Sequence, residues 1–217
     1  AYTLTNRVCL DKPVTLRSLN GPANTAIVGA PSAETPPHGL DAVRGVWLAA
    51  GATLSGFTVS NGCTFAKDED ADDEFNFVGG GVFCSDGTSV ITNCIITGNT
   101  ASTAGGGVYR GTVYHSTLSG NQTTDDESGG GGAIGAVLWH CRITGNRSAH
   151  AGGGVARCTM YNGLVVGNEA DFEGGGIFGG EARNCTVTGN RARFGGGAAG
   201  IYFGGSYVEP CELYNSI

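Results

Sequence analysis

The sequence predicts an all-β chain that folds as a single-domain right-handed parallel β-helix of about eight or nine rungs, with a repeat of 22–25 residues. Three observations support this fold class. A motif ending in Gly-Asn recurs at nearly constant spacing, a glycine cluster alternates with it, and strand-favouring residues fill the segments between them. Glycine accounts for 40 of 217 residues but proline for only 6, which excludes a collagen-like repeat.

Each repeat has one arm of constant length and one of variable length. The string [Ile/Leu/Val]-x-Gly-Asn ends at Asn99, Asn121, Asn146, Asn168 and Asn190, at steps of 22, 25, 22 and 22 residues. The last glycine of a cluster precedes the next repeat asparagine by 14 residues in four successive units. The return distance varies from 7 to 11 residues, so insertions should form loops on one side of a solenoid.

The constant arms show the two-residue periodicity of strands, and glycine and asparagine at their bends tolerate left-handed φ angles. Stacking the units in register, about 4.8 Å apart, gives two apolar columns that should point inward. The first contains Ile91, Val113, Leu138, Met160 and Ala182. The second contains Ile96, Leu118, Ile143, Val165 and Val187.

Two further columns lie near the bend between these strands. A column of small residues contains Cys94, Ser116, Cys141, Gly163 and Cys185. Its cysteines lie two units apart, too far for a disulfide, so we interpret them as buried free thiols. The preceding column contains Asn93, His115, His140, Asn162 and Asn184, and we interpret it as a ladder of turn side chains. The eight cysteines of the chain leave open whether any disulfide forms elsewhere.

Composition excludes several classes of protein. Hydrophobic residues make up 40% of the chain, enough to bury a core, so a disordered chain is not expected. No apolar run reaches the ~18 residues of a membrane helix, so no membrane span is predicted in this chain. The net charge of −7, with two lysines, argues against a nucleic-acid partner, because phosphate binding needs clustered basic residues.

The chain divides into three stretches within this single domain. Residues 1–62 are expected to form less regular opening rungs, 63–80 an acidic insertion, and 81–217 the regular glycine-rich repeats. The last rung is incomplete, because Tyr214–Ile217 matches Tyr161–Leu164 and stops four residues before the repeat asparagine would come. Two explanations stay open: a fragment of a longer protein, or open β-helix ends that associate head to tail into filaments.

The acidic insertion contains the most unusual local feature, six carboxylates within residues 68–74. Calcium takes six to eight oxygen ligands of this kind, so calcium is a candidate cofactor. The candidate ligands are Asp68, Asp70, Asp72, Asp73 and Glu74. The glycine of an EF-hand loop is absent from this segment, and a solvated acidic loop is the alternative.

The repeats resemble two groups of known proteins. Gly131-Gly132-Ala133-Ile134, together with the [Ile/Leu/Val]-x-x-Asn pattern, resembles the repeats of bacterial polymorphic outer-membrane proteins, which are autotransporter passengers. The opening segments 12–18 and 51–57 are similar to those of the pectate-lyase-like superfamily. The resemblance implies a secreted or surface-exposed β-helix, and therefore an extracellular or cell-surface location.

The resemblance leaves two classes of function open. The first is a non-catalytic structural or adhesive module, for which no catalytic residue is assigned. The alternative is a polysaccharide lyase or a glycoside hydrolase, as in the pectate-lyase-like superfamily. The sequence contains no Gly-His-Gly motif, and Asp125-Asp126 is the one carboxylate pair outside the acidic segment. Four arginines are candidate lyase bases: Arg110, Arg142, Arg157 and Arg183.

One column indicates a binding surface. Tyr114, Trp139, Tyr161 and Arg183 occupy equivalent positions in successive units, and simple alternation points them outward. A stripe of exposed aromatic rings is typical of polysaccharide-binding faces, so these residues are the candidate carbohydrate site, with a surface polysaccharide as partner. A stacked aromatic corner under a loop is the alternative. An ice-binding solenoid is a third class, because Thr97, Ser119, Thr144 and Thr188 align.

Overall fold

The fold is described from a computed structural model, which covers residues 3–34, 37–67, 74–203, 206–209 and 211–217. Within these ranges the regular secondary structure is almost entirely β, in short strands joined by turns and bends. Long parallel sheets receive one short strand from each repeat, an arrangement compatible with a β-helical solenoid. No helix among the described residues is long and apolar enough to cross a lipid bilayer.

The largest sheet has 14 strands in the described chain and contains two strand stacks, here called face 1 and face 2. Two long strands, Val155–Tyr161 and Ile177–Arg183, belong to both faces and join them. The other strands of face 1 are Thr5–Leu10, Val43–Leu48, Val82–Cys84, Val108–Tyr109, Ala133–Ile134 and Ala198–Ala199. The other strands of face 2 are Thr15–Arg17, Thr53–Ser55, Val90–Thr92, Thr112–Tyr114, Val137–Trp139 and Cys211–Tyr214.

Two smaller parallel sheets complete the repeats. Face 3 contains Ala26–Val28, Thr58–Ser60, Ile95–Thr97, Thr117–Ser119, Arg142–Thr144, Leu164–Val166 and Thr186–Thr188. Face 4 contains Thr100–Ala101, Gln122–Thr123, Arg147–Ser148 and Glu169–Ala170. Elsewhere, Ile201–Phe203 and Ser206–Glu209 form an antiparallel pair, and Glu74–Phe77 is a 3-10 helix. The strands of face 4 lie in the variable arms, where the sequence predicts loops.

The predicted register is confirmed at both apolar columns. On face 2, Val113 pairs with Ile91 and Leu138, and the column continues through Met160 to Ala182, all at most 1% exposed. On face 3, Leu118 pairs with Ile96 and Ile143 in the same way. Burying such columns is the main source of stability, at about 25 cal/mol per Å² of apolar surface.

The inward column of face 3 loses burial at its C-terminal end. Val165 is fully buried, whereas its partner Val187, which the sequence predicts to be equally buried, is only half-buried. Val187 lies on the last strand of face 3, and its backbone N–H donates to the carbonyl of Ile217. Among described residues no further strand of this face lies beyond it, so one side of the valine stays open.

The glycine clusters are required by close backbone approach. A Cβ added to Gly107 would lie 2.5 Å from the carbonyl oxygen of Gly132 and 3.0 Å from the side chain of Asn121. Gly132 and Gly154 meet the next cluster in the same way, also at 2.5 Å. No side chain fits at these distances, so the last glycine of each cluster from Gly81 to Gly176 lets successive repeats stack at the start of face 1.

The repeat asparagines form a buried ladder along the corner between faces 3 and 4. The Nδ2 of Asn121 donates to the Oδ1 of Asn146 at 3.0 Å and to the carbonyl of Ile96 at 2.9 Å. The Oδ1 of Asn146 also accepts the backbone N–H of Asn121. The same bonds join Asn146 to Asn168, so these amides use both donors and both acceptor positions.

The corner between faces 2 and 3 is built from a left-handed residue followed by a small one. Asn93, His115, His140, Asn162 and Asn184 have φ between 46° and 54°. The next side chain donates to the carbonyl two residues before it: Cys94 to Thr92, Ser116 to Tyr114 and Cys141 to Trp139. Thiol and hydroxyl are therefore interchangeable at this corner, because both satisfy the carbonyl that the bend exposes.

All eight cysteines lie within the described residues, and each is a free thiol. The prediction of buried free thiols in the small column is confirmed, since Cys94, Cys141 and Cys185 are each at most 3% exposed. Burial raises the pKa of Cys141 to about 11 and that of Cys158 to about 12, because the thiolate would lose its hydration. These thiols stay protonated and unreactive at neutral pH.

Candidate binding face

The outer surface of face 2 carries the predicted aromatic column. Backbone pairing places Tyr114 beside Trp139, Trp139 beside Tyr161, and Tyr161 beside Arg183. The three rings are half-buried and Arg183 is exposed, while their chain neighbours Val113, Leu138, Met160 and Ala182 point into the core. The four candidate residues therefore line one continuous outer column. The same column begins with Arg17, Ser55 and Thr92 and continues to Tyr214.

Two rings of this column, those of Trp139 and Tyr161, stack on each other. Trp139 and Tyr161 lie with ring centroids 3.9 Å apart and planes 13° apart, so each covers one face of the other. The guanidinium of Arg183 lies 4.2 Å from the ring centroid of Tyr214 and also binds Glu181. Because Trp139 and Tyr161 each cover one face of the other, a ligand on this column would contact their edges and their free faces.

A surface cleft of about 570 Å³ lies at the N-terminal end of the same face. The segment Ser18–Pro22 forms its wall. Two hydrogen bonds hold this segment over the sheet. Ser18 N donates to the carbonyl of Ser55, and Thr58 Oγ1 donates to the carbonyl of Pro22. Its floor contains Ser55 and Thr92, the small residues that precede Tyr114 in the column. The lining includes Thr15, Arg17, Thr53, Ser55, Thr92, Asn93 and His115.

The cleft differs in charge from the rest of this acidic chain. Its lining contains hydroxyls, one amide, one histidine and Arg17, and no aspartate or glutamate from the described residues. Arg17 is exposed and makes no hydrogen bond or ion pair with the described part of the chain. The cleft can therefore donate and accept hydrogen bonds to a polyhydroxyl ligand, with one free positive charge at its edge.

The corner beside the cleft carries a pair of histidines. His115 and His140 follow Tyr114 and Trp139 in the chain and stack with centroids 5.0 Å apart and planes 3° apart. Both are exposed, and the backbone of each is fixed by a hydrogen bond to the next repeat. The sequence interpretation as a hydrogen-bonded ladder is wrong for this pair, since these two rings meet by stacking.

The candidate calcium ligands Asp68, Asp70, Asp72 and Asp73 lie outside the described residues. Glu74 begins the 3-10 helix Glu74–Phe77. In the described ranges no three His, Cys, Asp or Glu side chains are grouped so that they could hold a metal ion. Calcium binding by the acidic segment stays a prediction.

The candidate lyase bases lie at different places on the surface. Arg110 and Arg157 occupy left-handed positions at the corner between faces 1 and 2, with φ of 61° and 49°. Arg142 lies on the outer side of face 3, and Arg183 lies on face 2. The structure does not bring these four arginines together into one site.

A second apolar cluster, separate from the main core, lies outside face 1 and was not predicted from the sequence. Phe83, Ile134 and Phe178 point outward from face 1 yet are at most 9% exposed, because the variable arms cover them with Ala104 and Ala151. The sequence feature that indicates this cluster is the pair of apolar residues after each glycine cluster, such as Val82-Phe83 and Ile177-Phe178. Two adjacent apolar residues in a strand indicate that both sides are buried.

Comparisons with known proteins found no match to this chain among protein-family models, curated proteins or solved structures.

Proposed function

We propose that the chain is a right-handed parallel β-helix of about eight or nine rungs that works outside the cell or at its surface, as a non-catalytic structural or adhesive module that binds polysaccharide along face 2. One observation carries the proposal: a cleft with several hydroxyls and no carboxylate from the described residues lies on the same face as a column of half-buried aromatic rings, and its residue Thr92 pairs with Tyr114 of that column. The resemblance to autotransporter passengers and pectate-lyase-like proteins agrees with it.

The arrangement suits an extended glycan better than a compact ligand. Successive positions of the column lie about one strand separation apart, ~4.8 Å, and so present contacts at regular intervals along one line. Hydroxyls of the cleft would exchange hydrogen bonds with sugar hydroxyls, and the edges of Tyr114, Trp139 and Tyr161 would contact the apolar parts of the sugar rings.

Binding to a panel of neutral and acidic polysaccharides, measured by affinity electrophoresis, tests the proposal. We expect Trp139→Thr to weaken retention by about tenfold or more, as expected when an aromatic anchor is lost from a binding face. Threonine is a fair replacement because Thr92 occupies the same column. Phe172→Ala is the control, since Phe172 is also an exposed aromatic residue but lies on a variable arm.

Two outcomes would overturn the proposal. The parent chain could bind no polysaccharide of the panel, or the Trp139→Thr and Phe172→Ala variants could be retained equally. Melting temperatures of both variants show whether a loss of binding reflects unfolding. Absorbance of unsaturated product from a uronic-acid polymer tests the alternative, a lyase, in the same samples.

Head-to-tail self-association is the second part of the proposal. Thr5–Leu10 is the first strand of its sheet and pairs with Val43–Leu48 on one side, and an edge strand offers unpaired backbone groups to another chain. A contact between opposite ends does not close on itself and would give filaments. Light scattering and negative-stain microscopy at rising concentration test it, and a strictly monomeric protein would contradict it.

A further inference from the structure

We infer that His115 and His140 form a two-histidine site for a divalent transition metal such as Zn²⁺ on the outer side of the corner between faces 2 and 3. The rings lie on adjacent repeats, are exposed, and stack at 5.0 Å between centroids. Imidazole nitrogen is a preferred ligand for Zn²⁺, Ni²⁺ and Cu²⁺. Metal ligation by the two rings does not require the proposed glycan binding, although His115 also lines the cleft.

Backbone geometry gives no reason for two imidazoles at this corner. Asn93, Asn162 and Asn184 occupy the same column with φ of 50° to 53°, and the histidines adopt 46° and 54°. In each of those three repeats, asparagine adopts the left-handed φ that the corner requires. The two adjacent histidines therefore add a chemistry that the bend does not need.

The ring nitrogens of the pair are free, unlike those of the other two histidines. His38 and His150 each use Nδ1 in a hydrogen bond with a backbone carbonyl, of Thr64 at 2.9 Å and of Ser128 at 3.1 Å. No ring nitrogen of His115 or His140 bonds to any residue in the described ranges. A metal can therefore take one nitrogen from each ring without breaking an existing hydrogen bond.

The corner holds the two rings at a distance that suits joint ligation. The backbones are fixed by bonds from His115 N to the carbonyl of Trp139 and from His140 N to that of Tyr161, both at 2.9 Å. With Zn–N distances of about 2.0–2.1 Å, the two ligating nitrogens must approach to about 3 Å. The terminal χ2 torsion of histidine is broad, so rotation of these exposed rings would turn one nitrogen of each toward the other and toward that separation.

Two protein ligands leave coordination positions open. Water would fill them, and the amide oxygens of Asn93 and Asn162 lie on the repeats to either side of the pair. His115 also lines the cleft, so a bound ion would lie at the edge of that cleft. Such a site binds moderately tightly and stays accessible to an oxygen ligand from solution.

Competition for Zn²⁺ against a chromogenic chelator tests the site directly. The titration uses the full chain with Cys9→Ser, which removes the exposed thiol, and excess Mg²⁺ to occupy carboxylates. We expect one Zn²⁺ per chain. His140→Asn should weaken the affinity by about tenfold or more, the scale on which even supporting residues of metal sites act, and the double variant His115→Asn/His140→Asn should abolish binding.

The asparagine variants should fold, because asparagine is the usual residue of this corner. Asn184→Gly is the control for corner geometry and should leave the affinity unchanged. Asn162→His adds a third imidazole on the next repeat and should tighten binding. Saturating Zn²⁺ should raise the melting temperature of the parent but not of the double variant. Equal affinity in parent and double variant, or no binding by the parent, would overturn the inference.

Discussion

Asparagine recurs at two corners of the stacked repeats, and the two corners use it differently. At the corner between faces 3 and 4, the amides of Asn121, Asn146 and Asn168 are at most 1% exposed and bonded at every donor and acceptor. At the corner between faces 2 and 3, Asn93 and Asn162 are exposed and serve mainly to adopt a left-handed φ. The five regular repeats all place asparagine at the first corner, whereas the second corner holds either asparagine or histidine.

The difference shows where this fold can acquire function. A position whose side chain is saturated with internal hydrogen bonds cannot be changed without leaving buried groups unpaired. A position that requires only a backbone conformation is free to carry new chemistry outward. The histidine pair and the aromatic column both lie at or beside the permissive corner.

The largest expected effect comes from comparing two positions of the inward column of face 3: Val165, which is fully buried, and Val187, which lies on the last strand. Val165→Asp would bury an unpaired charge at a site with no exposure and should cost about 4 kcal/mol or more of unfolding free energy. Val187→Asp should cost clearly less, because Val187 is half-buried and its charge can reach water. Urea unfolding of both variants measures the difference, and equal losses would contradict the register.

The next effect compares the two asparagine corners directly. Asn146→Ala leaves the backbone N–H and Nδ2 of Asn121 and the carbonyl of Leu118 without partners, and should cost about 3 kcal/mol. Asn162→Gly keeps the left-handed φ of 53° and should change stability by less than about 0.5 kcal/mol. Similar losses in the two variants, measured by thermal unfolding, would remove the distinction between the corners.

A smaller effect concerns the thiol that follows the permissive corner. The pKa of Cys141 is about 11 in the folded chain against an ordinary value of 9.0, so its contribution is complete below pH 9 and is lost as pH rises through 11. Cys141→Ser, which introduces the residue that Ser116 already provides one repeat earlier, should therefore reduce the alkaline loss of stability near pH 10 by about 1.4 kcal/mol. Unfolding at neutral pH and near pH 10 checks it; a parallel loss in both proteins would contradict it.

The smallest effect lies on the variable arms. Arg147 binds Asp171 of the next repeat at 2.7 Å, but both side chains are about half exposed, so Arg147→Ala should cost only about 0.5 kcal/mol. The loss should shrink at high salt, because exposed charges are screened. Arg142→Ala, which removes an exposed arginine from face 3, is the control. A cost for Arg147→Ala that does not respond to salt would argue against an electrostatic origin.

The columns were predictable because the interval of 14 residues between the last glycine and the asparagine fixes the register of each constant arm. Tyr114, Trp139, Tyr161 and Arg183 fall into one column for the same reason. The cleft was not predictable, because its wall Ser18–Pro22 lies in the opening stretch, where no repeat sets the register. The apolar cluster outside face 1 was missed because strands of two residues, such as Val108–Tyr109, are too short to show alternation.

The asparagine ladder has a consequence for how such a chain can change in length. Each amide presents the same donors and acceptors to the repeat before it and to the repeat after it. Removing the 22 residues from Asn146 to Gly167 would bring Asn121 directly against Asn168, and the hydrogen bonds would close again without alteration. Duplication or deletion of whole units is therefore nearly neutral for this corner, so genes that encode such ladders can readily differ in copy number while the coil remains intact.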